Sequence, residues 1–98
     1  MTTRFFLLSF LLFFYSHAKV YYVDAFAGNN SNSGLSPSKA WASLEKVNQM
    51  VFQPGDKILF KSGTTYFGQL EPKGRGAKGN PIFIDRYGKG PRPAIHGK

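Results

Sequence analysis

The stretch that decides the fold is residues 20–61, which opens with VYYVD at residues 20–24 and closes with PGDKILFK at residues 54–61. The opening segment is rich in β-branched and aromatic residues, which is the composition of a strand. The closing segment leaves a Pro-Gly turn and enters a second run of this kind. Because side chains alternate along a strand, Ile58 and Phe60 point to one face and Leu59 to the other. For the fold that we expect, we place Ile58 and Phe60 inward.

A polar loop and a short helix connect these two strands. Residues 27–34 read AGNNSNSG, and Asn, Ser and Gly favour turns without any need for a ligand. After the loop, apolar side chains recur at spacings of three and four, which predicts an amphipathic helix. They are Trp41, Leu44, Val47 and Val51. We expect Ser43 to cap this helix, Glu45 to lie in its first turn, and the Pro-Gly pair at residues 54–55 to end it.

Short β-prone runs follow, at residues 58–60, 66–70, 82–84 and 94–96. The segments between the later runs, residues 73–81 and 87–93, are too rich in glycine for helices. The pattern therefore disfavours βαβ crossovers and a Rossmann-like fold. A sandwich, a barrel and a solenoid all remain compatible with strands so spaced.

The order of these pieces carries a resemblance. A strand is followed by GNNSNSG, SP, AWASLEKVN, PGDKILFKSG, GQL, GNPI and YGKGPRPAI, within residues 20–97. This order resembles the N-terminal region of right-handed parallel β-helix proteins of the pectate lyase-like superfamily, which have the pectin lyase fold. The resemblance implies an all-β solenoid with a short N-terminal capping helix.

The same resemblance implies a division of the chain. Residues 19–55 would form the cap, in which Trp41, Leu44 and Val47 cover the first coil. Residues 56–98 would form the first coils, incomplete, with glycines at the corners. Because a solenoid needs several stacked repeats, we expect the chain to be the N-terminal fragment of a longer protein. A small complete β protein is the alternative.

The activity that the resemblance implies belongs to the full-length protein. Relatives of this kind are lyases, glycoside hydrolases or epimerases of extracellular, mostly acidic polysaccharides, and their catalytic groups and any calcium ligands lie on later coils. We therefore carry over no catalytic, cofactor-binding or metal-binding residue, and expect the fragment itself to be inactive. Relatives often have acidic residues where Asn30 and Ser33 stand, so the loop is a poor calcium site. A non-catalytic carbohydrate-binding or adhesion protein is the alternative.

Residues 1–18 have the pattern of a signal peptide. Arg4 supplies the positive charge, residues 5–15 are apolar except for Ser9, and residues 16–18 read SHA. An uncleaved anchor is the alternative, but residues 5–15 would span only about 16 Å of a hydrocarbon core of about 30 Å. We therefore expect cleavage after Ala18 and a secreted, periplasmic or cell-surface protein.

The chain is strongly basic and has no cysteine. Thirteen Lys and Arg stand against five acidic residues, a net charge of +8, and removal of Arg4 leaves twelve against five, or +7. An exported basic protein meets acidic polysaccharide, anionic lipid or nucleic acid, and a cationic nucleic-acid or membrane-binding peptide is an alternative from another class. Without cysteine, and with His96 as the only histidine after residue 18, disulfides and Cys/His metal clusters are excluded.

Catalytic candidates are few. Glycoside hydrolysis needs two carboxyl groups about 5 to 10 Å apart, and the available acids are Asp24, Glu45, Asp56, Glu71 and Asp85. We expect Asp24 at a strand end, Glu45 on the helix surface and Asp56 in a turn. Glu71 and Asp85 follow successive strands, and their pairing would be accidental.

The basic, histidine and aromatic side chains that could have a functional role also have simpler structural explanations. Uronan lyases use basic groups as proton acceptors, and Arg75, Lys78 and Arg86 are candidates only because basic residues abound. His96 lacks a recognisable partner. Residues 74–79, GRGAKG, lack the spacing of a phosphate loop. Five aromatic residues could stack on sugar rings or pack inside, namely Tyr21, Tyr22, Tyr66, Phe67 and Tyr87. Asn29 begins a glycosylation sequon.

Overall fold

The computed structural model describes residues 17–97, so nearly all of the predicted leader lies outside the described residues. Within residues 17–97, one α-helix, α1 (Leu44–Gln49), and one turn of 3-10 helix (Pro37–Lys39) accompany seven strands. The strands are β1 (Val20–Val23), β2 (Val51–Phe52), β3 (Lys57–Lys61), β4 (Thr65–Phe67), β5 (Lys73–Gly74), β6 (Phe83–Tyr87) and β7 (Ala94–His96). The described part of the chain is therefore mostly β, compatible with the predicted all-β class.

All named strands pair in parallel, in three separate sheets. The first sheet has the order β1-β3-β6, the second pairs β2 with β5, and the third pairs β4 with β7. The chain thus makes a round through β2, β3 and β4 and a second round through β5, β6 and β7. Each strand of the second round lies beside its counterpart from the first.

The core lies inside the first round and under the helix. Its buried apolar side chains form one cluster, made of Val23, Trp41, Leu44, Val47, Phe52, Ile58, Phe60 and Tyr66. The inward placement of Ile58 and Phe60 is confirmed, since both are buried while Leu59 is half-buried. The Trp41 ring stacks on Tyr21 at a centroid distance of 5.0 Å and meets Phe52 edge-on at 6.4 Å.

The helix is present but shorter than the apolar spacing predicts. Ser43 is its N-cap, with its hydroxyl accepting the N–H of Lys46, and Glu45 lies in the first turn, as expected. Trp41 precedes the helix because its backbone is bound to β1, donating to Tyr22 and accepting from Asp24. At the other end the helix stops before residues 54–55, because the chain turns to the extended backbone of β2 after Gln49.

The glycine-rich segment at residues 73–81 also differs from the expected simple turn, since it begins with β5. Gly74 has a φ of 100°, and a Cβ there would overlap the carbonyl oxygen of Phe52 on the neighbouring strand. Glycine is needed here for both its backbone conformation and the close approach of two rounds. The predicted strand at residues 66–70 ends at Phe67 because Gly68 takes a φ of 114°.

Candidate functional site

Two of the five acids are buried and hold turns. Asp24 follows β1, and its Oδ1 accepts the N–H groups of Phe26 at 2.9 Å and Ala27 at 3.0 Å. Asp56 is 2% exposed, and its two oxygens accept the N–H groups of Lys19 and Gln53, each at 2.8 Å. Both carboxylates are thus engaged by the backbone, which agrees with the strand-end and turn roles that the sequence predicts for them.

Two other acids line one cleft. The cleft lies between α1 and the end of β4, has a volume of about 330 Å³, and includes Glu45 and Glu71. Asn48 joins its walls, because Nδ2 donates to the carbonyl of Gln69 at 2.7 Å and Oδ1 accepts the N–H of Glu71 at 2.6 Å. The sequence pattern gives no signal that Glu45 and Glu71 line the same cleft, because this depends on how the helix packs over β4.

An exposed aromatic pair adjoins the same cleft. Phe67 is 77% exposed, and its ring lies 5.5 Å from that of His96, at an interplanar angle of 21°. We call these two rings the aromatic stack. The two residues are register partners on β4 and β7, so their side chains project from the same side of that sheet. His96, for which the sequence shows no partner, therefore has one.

The other aromatic candidates have lost most of their ring surface to packing. Tyr66 is in the core and meets Phe60 edge-on at 5.0 Å, and Tyr21 packs on Trp41. Tyr22 and Tyr87 meet each other edge-on at 5.1 Å. Of the five aromatic residues that the sequence singles out, Phe67 is the one with a free ring face.

A second cleft lies at the outer edge of the second round. It has a volume of about 560 Å³ and is lined by Phe60, Ile84, Asp85, Arg86, Arg92, Pro93 and Ile95. Asp85 is therefore in a different cleft from Glu71, and the structure does not bring these two acids together. Arg86 lies in register with the inward-facing Phe60 and donates to the carbonyl of Gly90 at 3.2 Å. Arg75 and Lys78 are exposed.

A polar cluster that sequence reasoning missed lies at the carboxyl ends of the first sheet. Asp24 follows β1, while Lys61 and Tyr87 are the last residues of β3 and β6. The Lys61 ammonium is 3.8 Å from Asp24 Oδ2. Burial, followed by the charge of Asp24, raises the pKa of Tyr87 to about 12, so its phenol keeps its proton far above neutral pH. What these three residues share is a position at the end of a parallel strand. This shared position can be recognised only when the strand register is known.

The segment at residues 74–79 is not a phosphate loop. Gly74 belongs to β5, and Ala77 and Asn80 exchange two backbone hydrogen bonds that close a tight turn. Among residues 17–97, no group of three or more His, Asp or Glu side chains is placed to hold a metal ion. Nor does any helix in that range have the length and hydropathy needed to cross a membrane.

Comparison with known proteins identifies relatives of this part of the fold. No family model matches the chain. The alpha-1,3-galactosidase A of Akkermansia muciniphila is 32% identical over 65 residues, which are 66% of this chain and 11% of that protein. The lacto-N-biosidase of Bifidobacterium longum subsp. longum is 35% identical over 77 residues, which are 74% of this chain and 5% of that protein.

A solved structure extends the similarity to the fold. The crystal structure of the GH136 lacto-N-biosidase from Eubacterium ramulus matches 74% of this chain and 12% of its own, with a TM-score of 0.61 and 30% sequence identity. The chain is thus similar, in sequence and in fold, to a small part of carbohydrate-active proteins that are glycosidases.

Proposed function

We propose that this chain is the start of a right-handed parallel β-helix in a protein that acts on extracellular carbohydrate. The observation that carries the proposal is the repeated round of parallel strands, in a chain 30% to 35% identical to parts of two lacto-N-biosidases. Connections between parallel strands of one sheet are right-handed in about 98% of cases, which supports the handedness. We also propose that this β-helix belongs to the pectate lyase-like superfamily.

The proposed organisation follows the chain. Residues 1–18 direct export and are removed, residues 19–55 cap the solenoid, and residues 56–98 form its first coils. Trp41, Leu44 and Val47 support the cap, since all three lie buried against apolar side chains of the first round. N-terminal sequencing of the exported product tests the first boundary: Lys19 as its first residue supports the proposal, and Met1 contradicts it.

The proposed activity of the full-length protein is hydrolysis of a glycosidic bond in a galactose-containing oligosaccharide. The support is similarity to a galactosidase and to lacto-N-biosidases. We propose that the catalytic carboxyl pair lies outside residues 17–97, because Asp24 and Asp56 are buried and engaged by backbone groups. Glu45 and Glu71 remain as the pair to be tested.

Hydrolysis assays test this assignment. The 98-residue chain, incubated with p-nitrophenyl α-galactoside or p-nitrophenyl lacto-N-bioside, is expected to release no nitrophenol above the buffer rate. Turnover that disappears in Glu45→Gln or Glu71→Gln would place catalysis in the chain itself and contradict the proposal. A transcript that continues in frame beyond Lys98 into further short strands supports a longer enzyme, and a stop codon directly after Lys98 opposes it.

Carbohydrate binding without catalysis is a second candidate, favoured by the aromatic stack beside the cleft. An exposed ring offers an apolar surface to the C–H face of a sugar, while Glu45 and Glu71 offer acceptors to its hydroxyl groups. The net charge, +8 for the whole chain and +7 without Arg4, favours an anionic partner, and an acidic glycan is the one that the resemblance to pectate lyase-like proteins implies. The two carboxylates favour a neutral glycan in this cleft, because a uronate would be repelled there.

An NMR titration distinguishes these cases. Neutral galacto-oligosaccharide is expected to shift the amide signals of Gly68 and Gln69, and Phe67→Ala is expected to weaken binding about tenfold. Phe26→Ala is the matched control, since Phe26 is 93% exposed and lies away from the cleft. Shifts produced by oligogalacturonide alone would favour the acidic glycan. Unchanged affinity in Phe67→Ala would exclude the aromatic stack as the binding surface.

A further inference from the structure

Asp56 is a buried carboxylate without a cationic partner among residues 17–97. It is 2% exposed, and the ion pair found in that range joins Lys61 to Asp24 instead. Carboxylates are almost never this deeply buried unless they are paired, because burial removes the water that stabilises their charge. Two backbone N–H groups, those of Lys19 and Gln53, provide its hydrogen bonds.

Two hydrogen bonds of its own backbone hold Lys19 beside this carboxylate. Lys19 N donates to Asp56 Oδ1 at 2.8 Å, and the carbonyl oxygen of Lys19 accepts the N–H of Lys57 at 2.9 Å. The next residue, Val20, is already in register with Lys57 in the first sheet. The first sheet therefore positions Lys19 beside Asp56.

The space around this contact can accept a change at the Lys19 nitrogen. A cavity of about 320 Å³ adjoins it, lined by His17, Lys19, Tyr21, Gln53 and Asp56. His17, Ala18 and Lys19 are exposed, and the hydrogen bond from the Lys19 nitrogen to Asp56 is part-buried. Burial, and after it the charge of Asp56, raises the pKa of Tyr21. The negative charge of Asp56 therefore acts on a group that lines this cavity.

We propose that cleavage after Ala18 converts this hydrogen bond into a part-buried ion pair that anchors β1 of the mature protein. The inference rests on the proposed export of the chain. A signal peptidase breaks the C–N bond between Ala18 and Lys19 with one water. The carbonyl carbon of Ala18 takes the hydroxyl and leaves as a carboxylate, and the Lys19 nitrogen takes the two protons to become an ammonium group.

The new ammonium group supplies what Asp56 lacks. An α-amino group with its ordinary pKa of about 8 is mostly protonated near pH 7. It would stand within hydrogen-bond distance of Asp56 Oδ1 and bring a full positive charge to a site that now has only amide dipoles. The proposed pair depends on the position of the cleavage, because cleavage one residue earlier leaves the Lys19 nitrogen as an amide and places the charge on Ala18 instead.

A double-mutant cycle tests this pair. The mature chain is released from a removable N-terminal fusion with either Lys19 or Ala18 as its first residue, each with Asp56 or with Asp56→Asn, and unfolded in urea near pH 7. The Lys19 form with Asp56 is expected to have a folding equilibrium constant at least about tenfold larger than the Ala18 form. In the Asp56→Asn background the difference is expected to fall to about twofold or less.

A second measurement keeps the test decisive if Asp56→Asn does not fold. The α-amino group of the Lys19 form is expected to react with an acylating reagent at least about tenfold more slowly than that of the Ala18 form, since ion pairing and partial burial protect it. Equal stabilities and equal reactivities of the two forms would overturn the proposal. A stability difference that persists in full without the Asp56 charge would also overturn it. If the exported product begins at Lys19 but shows no coupling, export stands and the ion pair falls.

Discussion

Ile58 and Ile84 are register partners on neighbouring parallel strands, yet Ile58 is fully buried and Ile84 is 49% exposed. Ile58 has a strand on each side, with Tyr21 of β1 as its partner in one direction and Ile84 of β6 in the other. Ile84 is covered from one side only. Burial therefore falls from the first round of strands to the second, as expected for stacked rounds in which each covers the one before.

This difference predicts unequal effects of the same truncation at the two positions. Ile58→Ala is expected to lower the free energy of unfolding by about 2–5 kcal/mol, because it leaves a cavity in a packed core. Ile84→Ala removes the same atoms from a half-exposed position and is expected to lower it by less than about 1.5 kcal/mol. Urea unfolding of both variants measures this. Equal losses would mean that the two strands are not stacked in this order.

Asn48 is expected to stabilise the wall of the cleft. Asn48→Ala removes both hydrogen bonds to the backbone of Gln69 and Glu71 and is expected to lower the free energy of unfolding by about 1–3 kcal/mol. Gln49→Ala, at an exposed position on the same helix, is the control and is expected to change it by less than about 0.5 kcal/mol. Similar losses in the two variants would show that helix propensity, and not the bridge, is responsible.

Gly74 is expected to tolerate alanine less well than Gly63. Both have positive φ, at 100° and 79°, which an L-residue resists by about 1–2 kcal/mol. A Cβ at Gly63 meets no atom within 4 Å, whereas one at Gly74 overlaps the Phe52 carbonyl oxygen. Gly74→Ala should therefore lose clearly more stability in thermal or urea unfolding. Equal sensitivity would argue against the close approach of β2 and β5.

Alkaline pH is expected to destabilise the protein through Tyr87. Its pKa is raised from 10.0 in the ordinary phenol to about 12 in the folded chain, so the folded state holds a proton that the unfolded state has released. The stability that this proton provides is complete below pH 10 and is lost as the pH rises from 10 towards 12. Wild type is therefore expected to lose stability more steeply over that range than Tyr87→Phe. Parallel profiles would contradict the raised pKa.

The strands and their inward faces were largely predictable from the sequence, because alternation and composition act locally. Ile58 and Phe60, and the cap at Ser43, follow from such local signals. The position of Trp41 was not predictable in this way. Its spacing indicates a helix, but its backbone is hydrogen-bonded beside β1 instead. β5 was not predicted from the sequence. Gly74 is needed there because the backbone of Phe52 lies so close, and a contact between two rounds leaves no local pattern in the sequence.

The candidate cleft shows the same limit. Glu45 on the helix and Glu71 after β4 line one cleft only because α1 packs over β4, and Asn48 links the helix to the backbone of Gln69. The sequence showed each acid in its own local setting but gave no distance between them. The aromatic stack likewise needs the parallel register of β4 with β7, which brings Phe67 beside His96.

Interstrand nuclear Overhauser effects give the decisive test of whether the two rounds of strands stack in parallel. Backbone contacts of the parallel pattern are expected in all three sheets, between Ile58 and Ile84, between Tyr66 and Ile95, and between Phe52 and Gly74. Antiparallel contacts between strands that follow each other in the chain, such as β3 with β4, would contradict it.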